Sequence, residues 1–412
     1  MAKVKHTTSS RVNDIVGSGG TSFELVGESE INSVGTEALK QITFRTAGIC
    51  SRLFIQVSYN DIPDSSSAAL RINGADGNLI ATIPASMTGE FEDITNTDTI
   101  SAGDELNYRI TGGAGGTELE YTVLSILFAA TSGTVKRFAV YSPNGQSGSN
   151  ANRVFPFEGG ITGVEITTNE AKNQQTVRTL GTIRNLFVYV SSNTRNANTT
   201  FRLRKNTANS NQVVTVSSTS TGIFEDTTNT DNVVSGDTIG YLVNFATGSG
   251  TIVFDIVSEE FYTPDNTFHF INASNHNGAF NPNPASTYYF AIGGSIANPA
   301  STTSEAQAPA NQPMVSSSLM VYIPLNSYTT FSHMYLVING VAGNKDVVII
   351  NALTGSFEDT TVDVIKPTDD IYYQYDTGVG GTQTLNSISM LVSASPYITG
   401  IQNITGIQTI TF

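Results

Sequence analysis

One acidic stretch of this chain, Phe91-Glu92-Asp93-Ile94-Thr95-Asn96-Thr97-Asp98, returns twice further along the sequence. The second copy reads Phe224-Glu225-Asp226-Thr227-Thr228-Asn229-Thr230-Asp231, and the third keeps only Phe357-Glu358-Asp359. The three phenylalanines stand at positions 91, 224 and 357, so the step from each copy to the next is the same, 133 positions. A fixed period that holds along the whole chain indicates an internal repeat, and it predicts three copies of one module.

Other landmarks keep the same period. They are the segments that begin at Leu53, Leu186 and Leu319, and the aspartates Asp104, Asp237 and Asp370. The 412 residues are too many for one ordinary core, and they fit about three domains. We therefore expect repeats at 1–132, 133–265 and 266–398, followed by a C-terminal β arm at 399–412.

The side chains of the segment that begins at Leu53 alternate strictly. Leu53, Ile55 and Val57 form an aliphatic set, and Phe54 and Gln56 stand between them. Alternation with period two is the signature of a β-strand. The aliphatic face recurs in every repeat and is expected to face that repeat's own core. The opposite face carries one large apolar residue per repeat, namely Phe54, Phe187 and Met320. Because this face is apolar but not uniform, we expect it to pack against another repeat or another subunit.

Turn signals and composition both favour β-structure. The second strand-like segment of each repeat is followed by a tight-turn pair, Asn73-Gly74, Asn206-Thr207 or Asn339-Gly340. Charged residues are 13% of the chain, about half of the usual ~25%, and no long helical periodicity is present. The prediction is an all-β chain of three tandem antiparallel β-sandwich modules of the jelly-roll type.

A family resemblance lies in the second half of each repeat. Ile100-Ser101-Ala102-Gly103-Asp104-Glu105-Leu106-Asn107-Tyr108 is followed by a glycine-rich turn at Gly112–Gly116 and a strand that ends at Phe128. This pattern resembles the C-terminal half of jelly-roll modules of the TNF/C1q-like type. The repeat also resembles β-rich domains of bacteriophage decoration, head-fibre and tail-fibre proteins. The resemblance implies a threefold arrangement, which three tandem modules could build within one chain.

The charge of the chain bears on its partners and its location. The net charge is −15 and the isoelectric point is near 4.6, so phosphate backbones and anionic lipid surfaces are repelled. We expect no nucleic-acid partner and no membrane partner. The N-terminal residues lack the hydrophobic core of a signal peptide. The expected location is therefore a virion assembled from protein made in the host cytoplasm.

The repeated acidic stretch is the best candidate for a cation site. Its carboxylates Asp93, Asp98, Asp226 and Asp231 offer the hard oxygen ligands that Ca²⁺ prefers. The alternative is structural, because Asp, Asn and Thr also bond to their own backbone in turns. We predict no bound cofactor, with Ca²⁺ left as the open alternative.

Signatures of catalysis are missing from the sequence. It contains no His-Glu-x-x-His run and no Gly-x-Ser-x-Gly elbow, so we predict that the chain is not an enzyme. Exposed tyrosines could still bind a surface glycan by ring stacking. The candidates for that role are Tyr288, Tyr289, Tyr372, Tyr373 and Tyr375.

The last residues form an uncharged arm that is rich in β-formers. Its apolar positions are Ile401, Ile404, Ile407, Ile410 and Phe412. A free arm of this kind would aggregate, so we expect it to pair with a sheet edge. That edge belongs either to the third repeat or to a neighbouring subunit or capsid protein.

These features together predict a structural virion protein. The expected role is a capsid decoration or cement protein, which binds the outer capsid surface through a pseudo-threefold arrangement of its repeats. Its partners would be the major capsid protein or other virion proteins, and self-association is possible. The alternative is a glycan-binding adhesin or a receptor-binding head-fibre or tail-fibre protein.

Overall fold

Antiparallel β-strands make up almost all of the regular structure in the computed structural model. The structure describes residues 3–27, 34–148, 152–160, 170, 173–245, 248–273, 280–294, 296, 299–300, 302–310 and 312–394. Within these residues the strands form three pairs of facing sheets and one additional two-stranded sheet. Each pair is called a sandwich below and is numbered in chain order.

The first sandwich contains nine strands and one turn of 3-10 helix, Glu37–Leu39. The strands are β1 (Lys3–Gly17), β2 (Thr21–Glu24), β3 (Ile42–Thr43), β4 (Gly48–Asn60), β5 (Ser66–Ile72), β6 (Ala75–Ile83), β7 (Gly89–Ile100), β8 (Glu105–Thr111) and β9 (Glu118–Ala130). One sheet has the order β1-β9-β4-β7, and the other has the order β2-β8-β5-β6 with β3 also paired to β8.

The second sandwich repeats this order with its own strands. They are β10 (Thr134–Gly148), β11 (Arg153–Phe155), β12 (Gly159–Gly160), β13 (Gln175–Thr176), β14 (Gly181–Asn193), β15 (Thr199–Lys205), β16 (Ala208–Val216), β17 (Gly222–Val233), β18 (Thr238–Phe245) and β19 (Ile252–Thr263). The sheets run β12-β10-β19-β14-β17 and β11-β18-β15-β16, with β13 also paired to β18.

The third sandwich has the same arrangement and one short helix, α1 (Thr303–Ala306). Its strands are β20 (Thr267–Ala273), β21 (Thr287–Ala291), β22 (Ala308–Pro309), β23 (Met314–Ile323), β24 (Leu325–Asn326), β25 (Ser332–Ile338), β26 (Val341–Ile349), β27 (Gly355–Asp359), β28 (Asp363–Ile365), β29 (Asp370–Asp376), β30 (Gln383–Thr384) and β31 (Ser387–Ala394). The sheets run β20-β31-β23-β27 and β21-β29-β25-β26, while β24 pairs with β30.

The pairing of strands that are distant in sequence, such as β1 with β9, is the jelly-roll arrangement that the sequence predicts. The core of each sandwich lies between its two sheets. In the first sandwich Leu53 and Ile55 of β4 meet Leu70 and Ile110 of the opposite sheet in one buried apolar cluster. The all-β sandwich class is therefore confirmed. The predicted boundaries at 132/133 and 265/266 fall in the connections β9–β10 and β19–β20.

The tight turns lie where the sequence predicts them. Asn73 and Gly74 have φ angles of 52° and 76°, so both occupy the left-handed region that a two-residue hairpin requires. Asn339 and Gly340 adopt the same angles in the third sandwich. In the second sandwich the glycine position is held by Thr207, with φ of 65°, which is strained for a β-branched residue.

The regular period of the repeats fails at one landmark in the third sandwich. Asn73 donates its side-chain amide to Asp104 at 2.8 Å, and Asn206 donates to Asp237 at 2.6 Å. The corresponding Asn339 donates to Asp369 at 2.7 Å, so the equivalent residue is Asp369 and the assignment of Asp370 was wrong. The stretch between Asp359 and this turn is shorter than its counterparts by a single residue, which moves the landmark back by one position.

Candidate functional site

The large apolar residues on the second face of the central strands lie between sandwiches. Phe54, Phe187 and Met320 are 1%, 0% and 3% exposed. Each of them contacts a sandwich other than its own, as described below for the three junctions in turn. The junctions are named 1–2, 2–3 and 3–1 after the sandwiches that they join.

Phe187 of β14 forms the centre of the 1–2 junction. It belongs, with Val135 and Ile256 of the second sandwich, to the buried apolar cluster of the first sandwich. The guanidinium carbon of Arg137 lies 5.7 Å from the centre of the Phe187 ring. The core cluster of the first sandwich therefore extends across this junction into the second sandwich, whose remaining core residues form a separate cluster.

A buried carboxylate, Glu260 of β19, joins the polar groups of the 1–2 junction. It accepts hydrogen bonds from the backbone N–H of Arg45 at 2.8 Å and from the Thr46 hydroxyl at 2.9 Å, both in the first sandwich. Asn185 of its own sandwich donates at 2.8 Å, and Arg184 forms an ion pair at 3.4 Å. Several charge-assisted bonds offset the cost of burying this charge.

An arginine–glutamate pair crosses two of the junctions at equivalent positions. In the 1–2 junction the Arg45 guanidinium pairs with Glu225, with 3.1 Å between Nε and Oε1. In the 2–3 junction Arg178 pairs with Glu358 and donates to Ser318 at 2.7 Å. The same Arg178 guanidinium lies 3.1 Å from the sulfur of Met320. Arg178 follows Arg45 by one period of the repeat, and Glu358 follows Glu225 by the same period.

The 3–1 junction uses different chemistry. Phe54 packs with Ala291 and Ala308 of the third sandwich. The buried Lys5 amine of β1 donates to the Pro309 carbonyl at 2.7 Å, which adds a polar contact across the junction. Burial lowers the pKa of Lys5 to about 7, against the opposing charges of nearby glutamates.

A pocket of about 310 Å³ opens at the 3–1 junction and is called the junction pocket below. It is lined by Arg52, Phe54, Glu90, Glu92, Pro309, Pro367, Thr368 and Asp370. Three of these side chains are carboxylates, and burial raises the pKa of each of them. Within the first sandwich Arg52 forms an ion pair with Glu92 at 3.6 Å.

The three junctions together join the sandwiches in a cycle. Phe187 reaches the first sandwich from the second, Met320 reaches the second from the third, and Phe54 reaches the third from the first. At each junction the surface that one sandwich contributes differs from the surface that the other sandwich contributes. The contacts are therefore head-to-tail. Head-to-tail contacts among three bodies close when each body contacts both others, as they do here.

The acidic residues proposed for Ca²⁺ lie at sheet edges and accept hydrogen bonds from backbone. Asp93 accepts from the N–H groups of Ile80 at 3.0 Å and Asn96 at 3.1 Å, and also from the Asn96 side chain. Asp226 has the equivalent contacts in the second sandwich. Burial alone would raise the pKa of Asp93, but the hydrogen bonds outweigh it and hold the value at about 2.

Asp98 and Asp231 hold the neighbouring strand in the same way. Asp98 accepts from the backbone of Asn78 at 2.7 Å and of Leu79 at 3.0 Å. Asp231 accepts from the equivalent backbone of Asn211. Among the described residues no group of three or more His, Cys, Asp or Glu side chains is arranged to hold a metal ion. The Ca²⁺ alternative remains a prediction. In this structure these carboxylates accept hydrogen bonds from the backbone N–H groups of the neighbouring strand.

Three of the tyrosines proposed for glycan stacking are not available for it. Tyr372, Tyr373 and Tyr375 are buried, and the last two belong to the core of the third sandwich. Tyr289 is partly buried and meets the Tyr372 ring edge-on at 5.9 Å. For these three residues the glycan-stacking prediction is wrong, because both faces of strand β29 are covered; for Tyr288 and Tyr289, which are partly buried, it stays a prediction.

Several junction residues escaped the sequence interpretation. The sequence did not lead us to propose Lys5 or Glu260 as junction residues. A charged residue within an apolar or strand-forming segment can nevertheless indicate a buried polar contact. The arm positions Ile401, Ile404, Ile407, Ile410 and Phe412 lie outside the described residues. Where the chain is described, its helices are too short to cross a membrane.

Comparisons with known proteins add little to this geometry. No family model matches the chain, and no curated protein sequence matches it. Solved structures that give matches include a chain from the triple jelly roll fold and turret assembly of an archaeal virus, at 12% identity and a TM-score of 0.21. That match covers 94% of this chain and 91% of the other.

Two further solved structures match at a similar level. A chain from the atomic structure of Sulfolobus Turreted Icosahedral Virus is 14% identical, with a TM-score of 0.20 and coverage of 95% and 97%. An insecticidal delta-endotoxin from Bacillus thuringiensis is 9% identical, with a TM-score of 0.20 and coverage of 94% and 60%. Likenesses at this level do not establish a shared function, so the fold rests on the chain's own strand order.

Proposed function

We propose that this chain is a structural virion protein, a capsid decoration or cement protein. Its three sandwiches would bind the outer capsid surface about a pseudo-threefold axis. The observation that supports this role is the cycle of head-to-tail junctions, built on Phe54, Phe187 and Met320. A chain that closes three similar modules on themselves presents three similar surfaces at once.

The covalent connection explains why such an arrangement suits attachment to a particle. Three separate subunits would lose translational and rotational freedom on assembling, whereas linked modules find one another at high effective concentration. Three similar surfaces on one rigid unit can then engage three equivalent capsid sites together. Contacts that are weak at each single site would together give strong attachment.

The surface chemistry supports a partner that is protein. The net charge of −15 disfavours contact with nucleic acid. The functional surface would be the outward loops and edges of the sandwiches, because the faces that carry Phe54, Phe187 and Met320 are used in the junctions. The partners proposed are the major capsid protein or other virion proteins, and the site of action is the virion.

The test is cryo-electron microscopy of virions of the encoding virus, compared with particles from which this gene has been deleted. The expected result is a three-lobed density at threefold positions of the capsid that is lost from the deleted particles. Those particles should also break at lower temperature. Density at a tail or fibre tip, with binding to a host glycan, would favour the receptor-binding alternative. Absence of the chain from purified particles would refute both roles.

A further inference from the structure

The junction pocket of the 3–1 junction corresponds to a place that an arginine fills in the 2–3 junction. There the Arg178 guanidinium contacts Ser318, Met320 and Glu358. The residues two periods earlier in the sequence are Arg52, Phe54 and Glu92. All three of these line the junction pocket. The pocket is therefore the equivalent of an occupied arginine site.

The opposite wall of the pocket agrees with this correspondence. In the first sandwich the Arg45 guanidinium lies beside Gly103, where a β-carbon would come within 3.7 Å of Nη1. Gly103 directly precedes Asp104, as Thr368 directly precedes Asp369, the residue that takes the place of Asp104. Thr368 lines the junction pocket. Both walls of the arginine site are thus present at the 3–1 junction.

The third sandwich has no arginine at the position equivalent to Arg45 and Arg178. The residue one period after Arg178 is Asn311, an uncharged amide that lies outside the described residues. The acidity of the site is nevertheless retained in Glu92 and increased by Glu90 and Asp370. Two cations oppose these three carboxylates, namely Arg52 in the pocket lining and the buried Lys5 amine nearby.

We propose that the junction pocket binds the arginine side chain of a partner polypeptide. The guest guanidinium would pair with Glu92, as Arg45 and Arg178 pair with the equivalent glutamates in the other junctions. Its aliphatic stem would lie against Phe54 and Pro309, which give the pocket apolar walls. A planar guanidinium offers several N–H donors in a fixed fork and can engage two carboxylates at once, whereas a lysine amine acts as a point charge. The inference does not depend on the virion role.

The experiment is calorimetric titration of the full chain with N-acetyl-L-arginine amide. N-acetyl-L-citrulline amide is the matched control, because it keeps the shape of arginine and removes the charge. The expected result is saturable binding of the arginine compound at one site, at least tenfold tighter than the citrulline compound. Equal binding of the two compounds would overturn the proposal.

Variants locate the binding. Glu92→Gln should weaken the arginine compound at least tenfold, whereas Glu358→Gln, at the occupied 2–3 junction, should leave the affinity unchanged. Asn311→Arg should supply the missing side chain, abolish binding and raise the melting temperature. Arg178→Asn should open a second site and raise the stoichiometry from one to two.

Binding that survives in both Glu92→Gln and Asn311→Arg, in protein shown to be folded by its melting curve, would refute the site. Calcium that binds here and displaces the arginine compound would refute it as well.

Discussion

Arg45 of the first sandwich donates from Nε to Glu225 of the second at 3.1 Å, across a boundary between two separate cores. The pair is partly covered, since the two side chains are 34% and 10% exposed. It recurs one repeat later as Arg178 with Glu358. A polar contact that recurs at a junction favours the pairing of particular surfaces, while the buried Phe187 adds an apolar contact at the same junction. The two kinds of contact can be separated by mutation.

A double-mutant cycle on Arg45→Ala and Glu225→Ala should give a coupling energy of about 1 kcal/mol. The pair is only partly buried, so solvent screening keeps its value below that of a fully buried pair. Chemical denaturation of the four proteins measures the cycle. The reversed pair, Arg45→Glu with Glu225→Arg, should regain part of the loss. Strictly additive effects of the two alanine variants would show that the contact contributes nothing.

Phe187→Ala should destabilise the chain by roughly 3–5 kcal/mol, because it leaves a cavity in the apolar cluster that extends from the first sandwich into the second. The denaturation midpoint reports the loss. Leu180→Ala is the control, since Leu180 is 59% exposed in the same sandwich and should change stability by less than about 0.5 kcal/mol. A loss of similar size in both variants would contradict the packing described for the 1–2 junction.

Thr207→Gly should stabilise the second sandwich by roughly 1 kcal/mol. Thr207 has a φ of 65°, which glycine adopts without strain and a β-branched residue does not. The reverse change at the equivalent position of the first sandwich, Gly74→Thr, should lower the melting temperature. If both changes left the melting temperature unaltered, the left-handed turn would not be the source of strain.

The sequence was sufficient for the period, the strand faces and the turns, because each of these is a local or repeated pattern. It failed at Asp369, because the loss of one residue after Asp359 is visible only through the hydrogen bond from Asn339. It also failed at Lys5, whose partner Pro309 lies 304 residues away. The alternation identified Phe54, Phe187 and Met320 as a contact face, but which sandwich each of them meets depends on how whole sandwiches pack, and no local pattern encodes that geometry.

Asp93→Asn should destabilise the first sandwich by roughly 1–2 kcal/mol at pH 7, since it removes a charged acceptor of several hydrogen bonds. The pKa of Asp93 is held at about 2, below its ordinary value near 3.8. Its stabilising effect is therefore present above about pH 4 and is lost as the pH falls towards 2. Acid denaturation of the two proteins should converge below pH 2. A melting temperature that rises when Ca²⁺ is added, and only when Asp93 is present, would instead support the cation site.

Glu158 should make stability depend on pH in the opposite sense. Burial raises the pKa of its carboxyl to about 8, against the opposing charge of Lys136, whereas the ordinary value is 4.5. Between these two values the folded chain retains a proton that the unfolded chain has released. Stability should therefore fall as the pH rises from about 4.5 to about 8, by at most about 1.4 kcal/mol per pH unit for one proton.

Glu158→Gln keeps the shape and removes the titration, so the variant should match the native chain near pH 4.5 and exceed its stability at pH 8. Denaturation at a series of pH values measures both proteins, and parallel curves across this range would show that the buried carboxyl does not retain its proton.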